Sequence, residues 1–420
     1  MLTPGADASH HPSDAVVAVV GAGFVGRGLI HRLTHTYGFA PPLVVNRTVQ
    51  RARRAMEDAG LGARPFVSDD PDQVSDAISE GRPVITTDAA ILPSVRGVDL
   101  VVEATGAIAY GMRVMSDALR AGRHVVSMNA EADALFGHHL ESVASEGGAT
   151  YSIADGDQPG VLLRMMDEAH QLGLKPSIAL NCKRNLDPHQ SPEDSRPYAA
   201  RDGTSVEMTT SFGDGTKMHV ENVVTANLSG LSPPRLGTPG VRTTLADVVE
   251  DIDEAGIPDD SVHFTLGGDF GGGVMVLARS LDPDFDAPYL RVLKLGDGPR
   301  YPLFRPYHLT HMEVVTTIQQ VLAGGPPLGR RTPEPVAACV AVAKRDLRAG
   351  EQLDGIGGGA CYGMAAPTDE ATELLPVGLA SDAMIRRDVP MDRPIKLADV
   401  ELDEDADLVR LHRQVVGHRT

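Results

Sequence analysis

Ala15-Val16-Val17-Ala18-Val19-Val20-Gly21-Ala22-Gly23-Phe24-Val25-Gly26-Arg27-Gly28 decides the fold. Six small apolar and β-branched residues run into G-x-G-x-x-G, and Leu29, Ile30 and Leu33 continue at helical spacing. The order is strand, tight glycine turn, helix, the setting in which this pattern binds a dinucleotide. Gly21 permits the turn, Gly23 lets the backbone approach a pyrophosphate, and Gly26 lets helix and strand pack closely. Phe24 and Val25 open the helix, whose free N–H groups and partial positive charge suit phosphates.

Outward from this unit, residues 42–46, 83–86, 98–103, 123–128 and 151–154 read as strands. Helical segments over 52–59, 112–121 and 135–146 alternate with them. Near-continuous apolar strands in repeated βα units predict an α/β, doubly wound parallel sheet of the Rossmann type over 15–155. Residues 1–14 read as a flexible tail. Beyond Asp155 the texture changes. A helix over 161–172 precedes strands at 178–182, 217–220 and 274–278, separated by Pro/Gly/Asp-rich connections at 187–202, 232–240 and 282–288. That pattern predicts an α+β catalytic or substrate domain over 156–330, with a helix over 307–322 returning from it. Residues 331–420 read as a small β-rich domain. Within it, 343–353 and 384–395 share the order strand, Arg-Asp, turn, apolar, either as two related halves or as a chance echo.

At 420 residues the chain needs two or three domains. Its 42% hydrophobic and 23% charged residues suit a globular protein, and no apolar run approaches a membrane span. No secretory leader is visible, and Cys182, Cys339 and Cys361 fit neither a disulfide framework nor a C-x-x-C metal site. A cytoplasmic location follows as the expectation. A net charge of −19 argues against nucleic-acid or membrane-surface binding, so an anionic substrate must be gathered by a local basic cluster.

An NAD-binding fold places an acidic residue about 20 residues after the glycines. Here Asn46-Arg47-Thr48 stands instead. An amide, a guanidinium and a hydroxyl all donate to a 2′-phosphate, whereas a carboxylate repels it, so NADP(H) is the expected cofactor. The other reading of Arg47 is a cap on a strand end. Thr105, Gly106 and Asn129 follow the carboxyl ends of two later strands, where open parallel sheets bind ligands. Glu131 is either a supporting carboxylate or a helix-N-terminal acid.

Carbonyl reduction by hydride needs a donor to the developing alkoxide. Lys183 and Lys217 are the candidates, lying amid glycine and amide residues, and Asp155, Asp157 and Glu131 would orient them. The same carboxylates offer hard oxygen ligands to Mg²⁺ or Mn²⁺, although no spacing demands a metal. Asn185, Arg305 and His308 are candidate substrate contacts. The stretch 305–310 reads equally as a substrate clamp or as a packed loop.

Taken together, the Gly21 turn, Asn46-Arg47-Thr48, Val126-Ser127-Met128-Asn129 and Tyr151-Ser152-Ile153-Ala154-Asp155-Gly156-Asp157 resemble the homoserine dehydrogenase-like superfamily. With Asp214-Gly215-Thr216-Lys217-Met218 and Val342 to Gly350, the match is nearer its SAF-domain branch of deoxyxylulose-phosphate reductoisomerase-like oxidoreductases. The resemblance implies three parts ending in a SAF-like module, a homodimer, and NADPH-dependent conversion of 1-deoxy-D-xylulose 5-phosphate or a related sugar phosphate, a step of isoprenoid biosynthesis. Homoserine dehydrogenases carry a catalytic lysine where this chain has Ala130, which speaks against homoserine oxidation. Lys183 and Asn185 survive in a segment where relatives have additional glycines. Two other functions remain open on sequence: a dehydrogenase of an unphosphorylated hydroxy acid or homoserine-like substrate, and a non-catalytic NADP-binding sensor or scaffold.

Overall fold

The computed structural model describes residues 14–268 and 270–417; of the expected tail over 1–14, all but Asp14 lies outside them. The first elements alternate strand and helix, save that only a 3₁₀ segment (Ala89–Ser94) separates β4 from β5: β1 (Val17–Val20), α1 (Phe24–Thr34), β2 (Leu43–Val45), α2 (Val49–Asp58), β3 (Phe66–Val67), α3 (Pro71–Ser79), β4 (Val84–Thr86), β5 (Leu100–Glu103), α4 (Ile108–Arg120), β6 (His124–Ser127), α5 (Ala130–Gly147) and β7 (Tyr151–Ile153). Every pairing among these strands is parallel, in the order β3-β4-β2-β1-β5-β6-β7, which is a Rossmann sheet. Helices cover it, so its strands are buried on both faces, as their unbroken Val/Leu/Ile runs require.

Next come α6 (Gln158–Gln171), β8 (Leu174–Lys183), α7 (Pro192–Asp202), α8 (Val206–Gly213), α9 (Thr216–Ser229), β9 (Val241–Arg242), α10 (Val248–Glu254), β10 (Ser261–Leu266), β11 (Val274–Ser280), α11 (Pro283–Val292), β12 (Arg300–Arg305) and α12 (Thr310–Leu322). The expected strand at 217–220 is the first turn of α9. That helix buries polar and apolar residues alike, including Glu221, Asn222, Thr225 and Asn227, so its sequence shows no amphipathic period. Two expected connections are also helical. Ser191 and Asp194 form a capping box for α7, and Asp282 accepts from the Phe285 N–H ahead of α11. The expected helix over 307–322 begins only at Thr310.

By its contacts the chain forms two compact units. The first comprises residues up to Ala132, His139–Gly156 and Leu309–Pro327. Its core joins Val17, Val19, Leu29, Leu33 and Met56 to Val314 and Ile318 of α12. The second comprises Asp133–His138, Asp157–His308 and the chain from Leu328. These limits differ from the expected boundaries at 155 and 330: α12 packs in the first unit, and the C-terminal ninety residues share one unit with the catalytic segment.

The second unit holds a mixed sheet ordered β12-β11-β8-β10-β9. Successive strand residues face opposite sides. Ile178, Leu180 and Cys182 of β8 accordingly pack with Val248 and Ile252 of α10. Asn181, on the other side, donates to Asn222 of α9 at 2.6 Å. In the C-terminal part, β13 (Ala337–Ala343) pairs antiparallel with β14 (Cys361–Pro367); after α13 (Thr368–Ala371), β15 (Ala383–Ile385) pairs with β16 (Val400–Leu402), ahead of α14 (Asp407–Gly417). The two echoing segments pair with each other. Leu347 and Val389 exchange both backbone hydrogen bonds, at 2.8 and 3.0 Å. Asp346 accepts from the Met391 N–H and Asp388 from the Ala349 N–H, both at 2.9 Å, so equivalent residues make reciprocal contacts.

Candidate active site

In the first unit, the turn between β1 and α1 is built for close approach. Gly21 has φ +105°, and a Cβ there would meet the Ala104 carbonyl oxygen at 2.9 Å. A Cβ at Gly26 would collide with the Gly21 carbonyl. At Gly23 the space is open and exposed. No side chain caps α1 and no acid lies in its first turn. Open N–H donors above a glycine with room outside it fit a pyrophosphate. Phe24 is exposed and stands edge-on to His311 at 5.6 Å, while Val25 is half-buried.

Asn46 is committed internally. Its Oδ1 accepts from the Ala22 N–H at 3.0 Å and its Nδ2 donates to the Thr48 carbonyl at 2.8 Å. It therefore braces the glycine turn, and Arg47 and Thr48 beside it are exposed at the end of β2. The first turn of α2 likewise contains no acid.

At the ends of β5 and β6, Glu103 is fully buried, a residue missing from the expected set. It accepts from the Thr105 N–H at 2.8 Å, from the Thr105 hydroxyl and from Asn129 Nδ2 at 2.9 Å. Burial raises its pKa, and these hydrogen bonds oppose the rise. Asn129 also caps α5 by accepting from Ala132 N–H at 3.0 Å. A Cβ at Gly111 would lie 2.9 Å from both Glu103 and Asn129. Glu131, half-buried in the first turn of α5, adds its charge to the surroundings of Glu103. Thr105 and Gly106 are exposed beside it. Asp155 is buried; it accepts from the Gly156 N–H at 2.8 Å, and its own N–H donates to Thr317 at 3.0 Å.

The second unit gathers a charged cluster at the end of β8. Lys183 lies within electrostatic reach of Glu221, Asp157 and Lys217. Burial holds its ammonium below the usual lysine range, Glu221 and Asp157 pull it back up, and Lys217 pushes it down. Asp157 is the N-cap of α6, and Lys217 and Glu221 sit one turn apart on α9. Glu221 was absent from the expected set. Its i,i+4 spacing from Lys217 is visible only once the segment is known to be helical. Burial pushes the neighbouring Cys182 thiol up to about 12, which leaves it no thiolate chemistry near neutrality.

Beside the cluster, Gln158 Nε2 lies 3.3 Å from His308 Nε2, linking that residue to the start of α6. Arg305 stacks its guanidinium on Tyr307 at 5.0 Å. Asn185 is exposed in the chain after β8. The start of α9 is anchored from the C-terminal segment: Lys344 Nζ lies 2.8 Å from Asp214 Oδ2, both buried, and Gly363 N–H donates to Thr216 at 2.8 Å. Among the described residues no group of three His, Cys, Asp or Glu side chains comes together to hold a metal ion, so Asp155, Asp157 and Glu131 form no such site. No described helix is long and apolar enough to cross a membrane.

Residues 21–154 match the family model of the homoserine dehydrogenase NAD binding domain, and residues 156–314 that of the oxidoreductase DRL catalytic domain. Among solved structures, a hyperthermophilic archaeal homoserine dehydrogenase in complex with NADPH is 15% identical with a TM-score of 0.44, over 75% of this chain and 99% of that one. The 1-deoxy-D-xylulose 5-phosphate reductoisomerase from Zymomonas mobilis in complex with NADPH is 15% identical with a TM-score of 0.38, over 74% and 82%. A probable dehydrogenase from Thermotoga maritima is 13% identical with a TM-score of 0.41, over 75% and 91%. No curated protein matches the chain.

Proposed function

We propose that this NAD(P)-dependent oxidoreductase, which joins a homoserine dehydrogenase-type NAD binding domain to an oxidoreductase DRL catalytic domain, uses NADP(H) to interconvert a small polar keto and hydroxy compound. The substrate class is a sugar phosphate, with 1-deoxy-D-xylulose 5-phosphate and its relatives as the sharpest version. The observation that carries the reading is Lys183, a half-buried ammonium at the end of β8 within electrostatic reach of two carboxylates and a second lysine.

Gly21, Gly23 and Gly26 with the start of α1 hold the pyrophosphate, and Arg47 and Thr48 receive the 2′-phosphate. A dinucleotide held there would supply or accept the hydride. Lys183 donates its Nζ proton to the oxygen that develops negative charge, and recovers it from water. Its lowered pKa makes that transfer easier than from a solvated lysine. Asp157 and Glu221 keep the ammonium charged between turnovers. Lys217 contributes positive charge for a substrate phosphate in a chain that is otherwise strongly acidic, and His308 offers a ring nitrogen for hydrogen bonding.

The test is NADPH consumption across a panel of keto sugars, each offered with and without a phosphate. Consumption confined to phosphorylated members is expected. Lys217→Met should raise KM for those members by roughly tenfold or more, the loss of one charge-assisted contact. Binding of NADPH with no consumption on any member would instead favour a sensor, and turnover of unphosphorylated hydroxy acids would shift the substrate class.

A further inference from the structure

Helix α11 stands out in the second unit because it hides so little of itself: Leu290 is its one buried residue. Its outward side is apolar. Leu281 is 71% exposed, Phe285 63%, Tyr289 60%, Val292 80% and Leu293 56%. Phe285, Tyr289 and Val292 follow i, i+4 and i+7 on one helical stripe, and Leu281 and Leu293 flank the helix at its two ends. Phe285 and Tyr289 already touch, with ring centroids 5.4 Å apart. A ten-residue helix with Pro288 inside it is marginal in isolation.

We propose that α11 is a dimer seam, at which a second copy of this chain lays its own α11 antiparallel about a two-fold axis. Charge placement selects this occupant. The N-terminal end carries Asp282, Asp284 and Asp286, and the C-terminal end carries Lys294 together with Arg291, which pairs with Asp297 at 2.8 Å. An antiparallel partner sets each acidic end against the other copy's basic end, as an isologous contact demands. The acidic end disfavours the alternative of an anionic membrane surface, which selects lysine and arginine around an apolar stripe. Area agrees as well. An aromatic side chain offers about 150–250 Å², so five large side chains at these exposures supply on the order of 600 Å², and flanking residues bring this near the roughly 800 Å² per partner of a stable interface.

The experiment is sedimentation equilibrium of the full chain, with circular dichroism to confirm that each variant is folded. The wild type should have the mass of two chains. Phe285→Glu and Val292→Glu, both at exposed positions, should each give the mass of one. Asp284→Lys should weaken the dimer at least tenfold, and adding Lys294→Asp should recover most of that loss. A monomeric wild type, or a Phe285→Glu protein that stays dimeric, would overturn the proposal. Failure of the charge swap to recover dimerisation would overturn the antiparallel arrangement. Co-flotation of a monomeric wild type with phosphatidylcholine vesicles, lost in Val292→Glu, would assign the stripe to a lipid surface instead.

Discussion

Arg47 is the residue whose replacement should separate the two nicotinamide cofactors. It is exposed at the end of β2, beside an Asn46 whose amide oxygen braces the glycine turn and whose Nδ2 donates to the Thr48 carbonyl. Arg47→Asp should weaken NADPH binding by roughly 10–100-fold, the worth of a charge-assisted hydrogen bond. NADH, with no 2′-phosphate, should lose little. Fluorescence titration with both cofactors checks this, and equal losses would remove Arg47 from the 2′-phosphate site. His219 carries a different prediction. Burial, with His263 nearby, pushes its pKa down to about 3, against 6.5 in an unfolded chain. Above pH 6.5 neither state binds the proton; below it only the unfolded state does. Stability is therefore full above pH 6.5 and falls as the pH drops toward 3, by up to about 1.4 kcal/mol per unit. Denaturant melts of wild type and His219→Leu between about pH 7 and 4 should show a shallower acid slope in the variant. Parallel slopes would mean that His219 takes up its proton in the fold.

Among the elements, α9 matters most, because it carries Lys217, Glu221 and Asn222 and is held from two sides. Asp214, just ahead of it, accepts from the Thr216 N–H at 2.7 Å and pairs with buried Lys344. Asp214→Ala leaves that ammonium buried without its carboxylate and should cost about 3–5 kcal/mol. Adding Lys344→Met should return a substantial part of the loss, as chemical denaturation can measure. A single variant as stable as wild type would mean that the pair holds nothing in place. The elements also mark where sequence reading stopped. The strands of the first sheet were legible because burial on both faces leaves unbroken runs such as Val16 to Val20 and Leu100 to Val102. β3 escaped because Phe66-Val67 is only two residues long. α9 looked like a strand because a helix buried on all sides has no polar face to betray its period. α7 and α11 were hidden by their prolines and aspartates: Pro192 and Pro283 sit at the helix starts, where they favour helix, but Pro197 and Pro288 lie inside.

Across the whole molecule, glycine turn and charged cluster differ in kind. The first is contiguous, from Gly21 to Gly26, so its function could be read directly. The second joins residues 157, 183, 217 and 221, brought together only by the packing of α6, β8 and α9 in one unit. Sequence reasoning found both lysines and Asp157 by residue type but gave Glu221, close to Lys217 in sequence, no role. Asp155 and Glu131, chosen for the same role, make their described contacts in the first unit: Asp155 with Gly156 and Thr317, Glu131 through the charge of Glu103. The repeat within the C-terminal segment was visible in Arg345-Asp346 and Arg387-Asp388, and the two copies bind each other. The central claim is that Lys183 moves the proton in a reaction driven by the dinucleotide. The direct measurement is the turnover of Lys183→Met on the phosphorylated substrate, with NADPH affinity measured in the same preparation. The account predicts a fall in kcat of about 10²–10⁴-fold at unchanged NADPH affinity. A variant that turns over within a few-fold of wild type would contradict it.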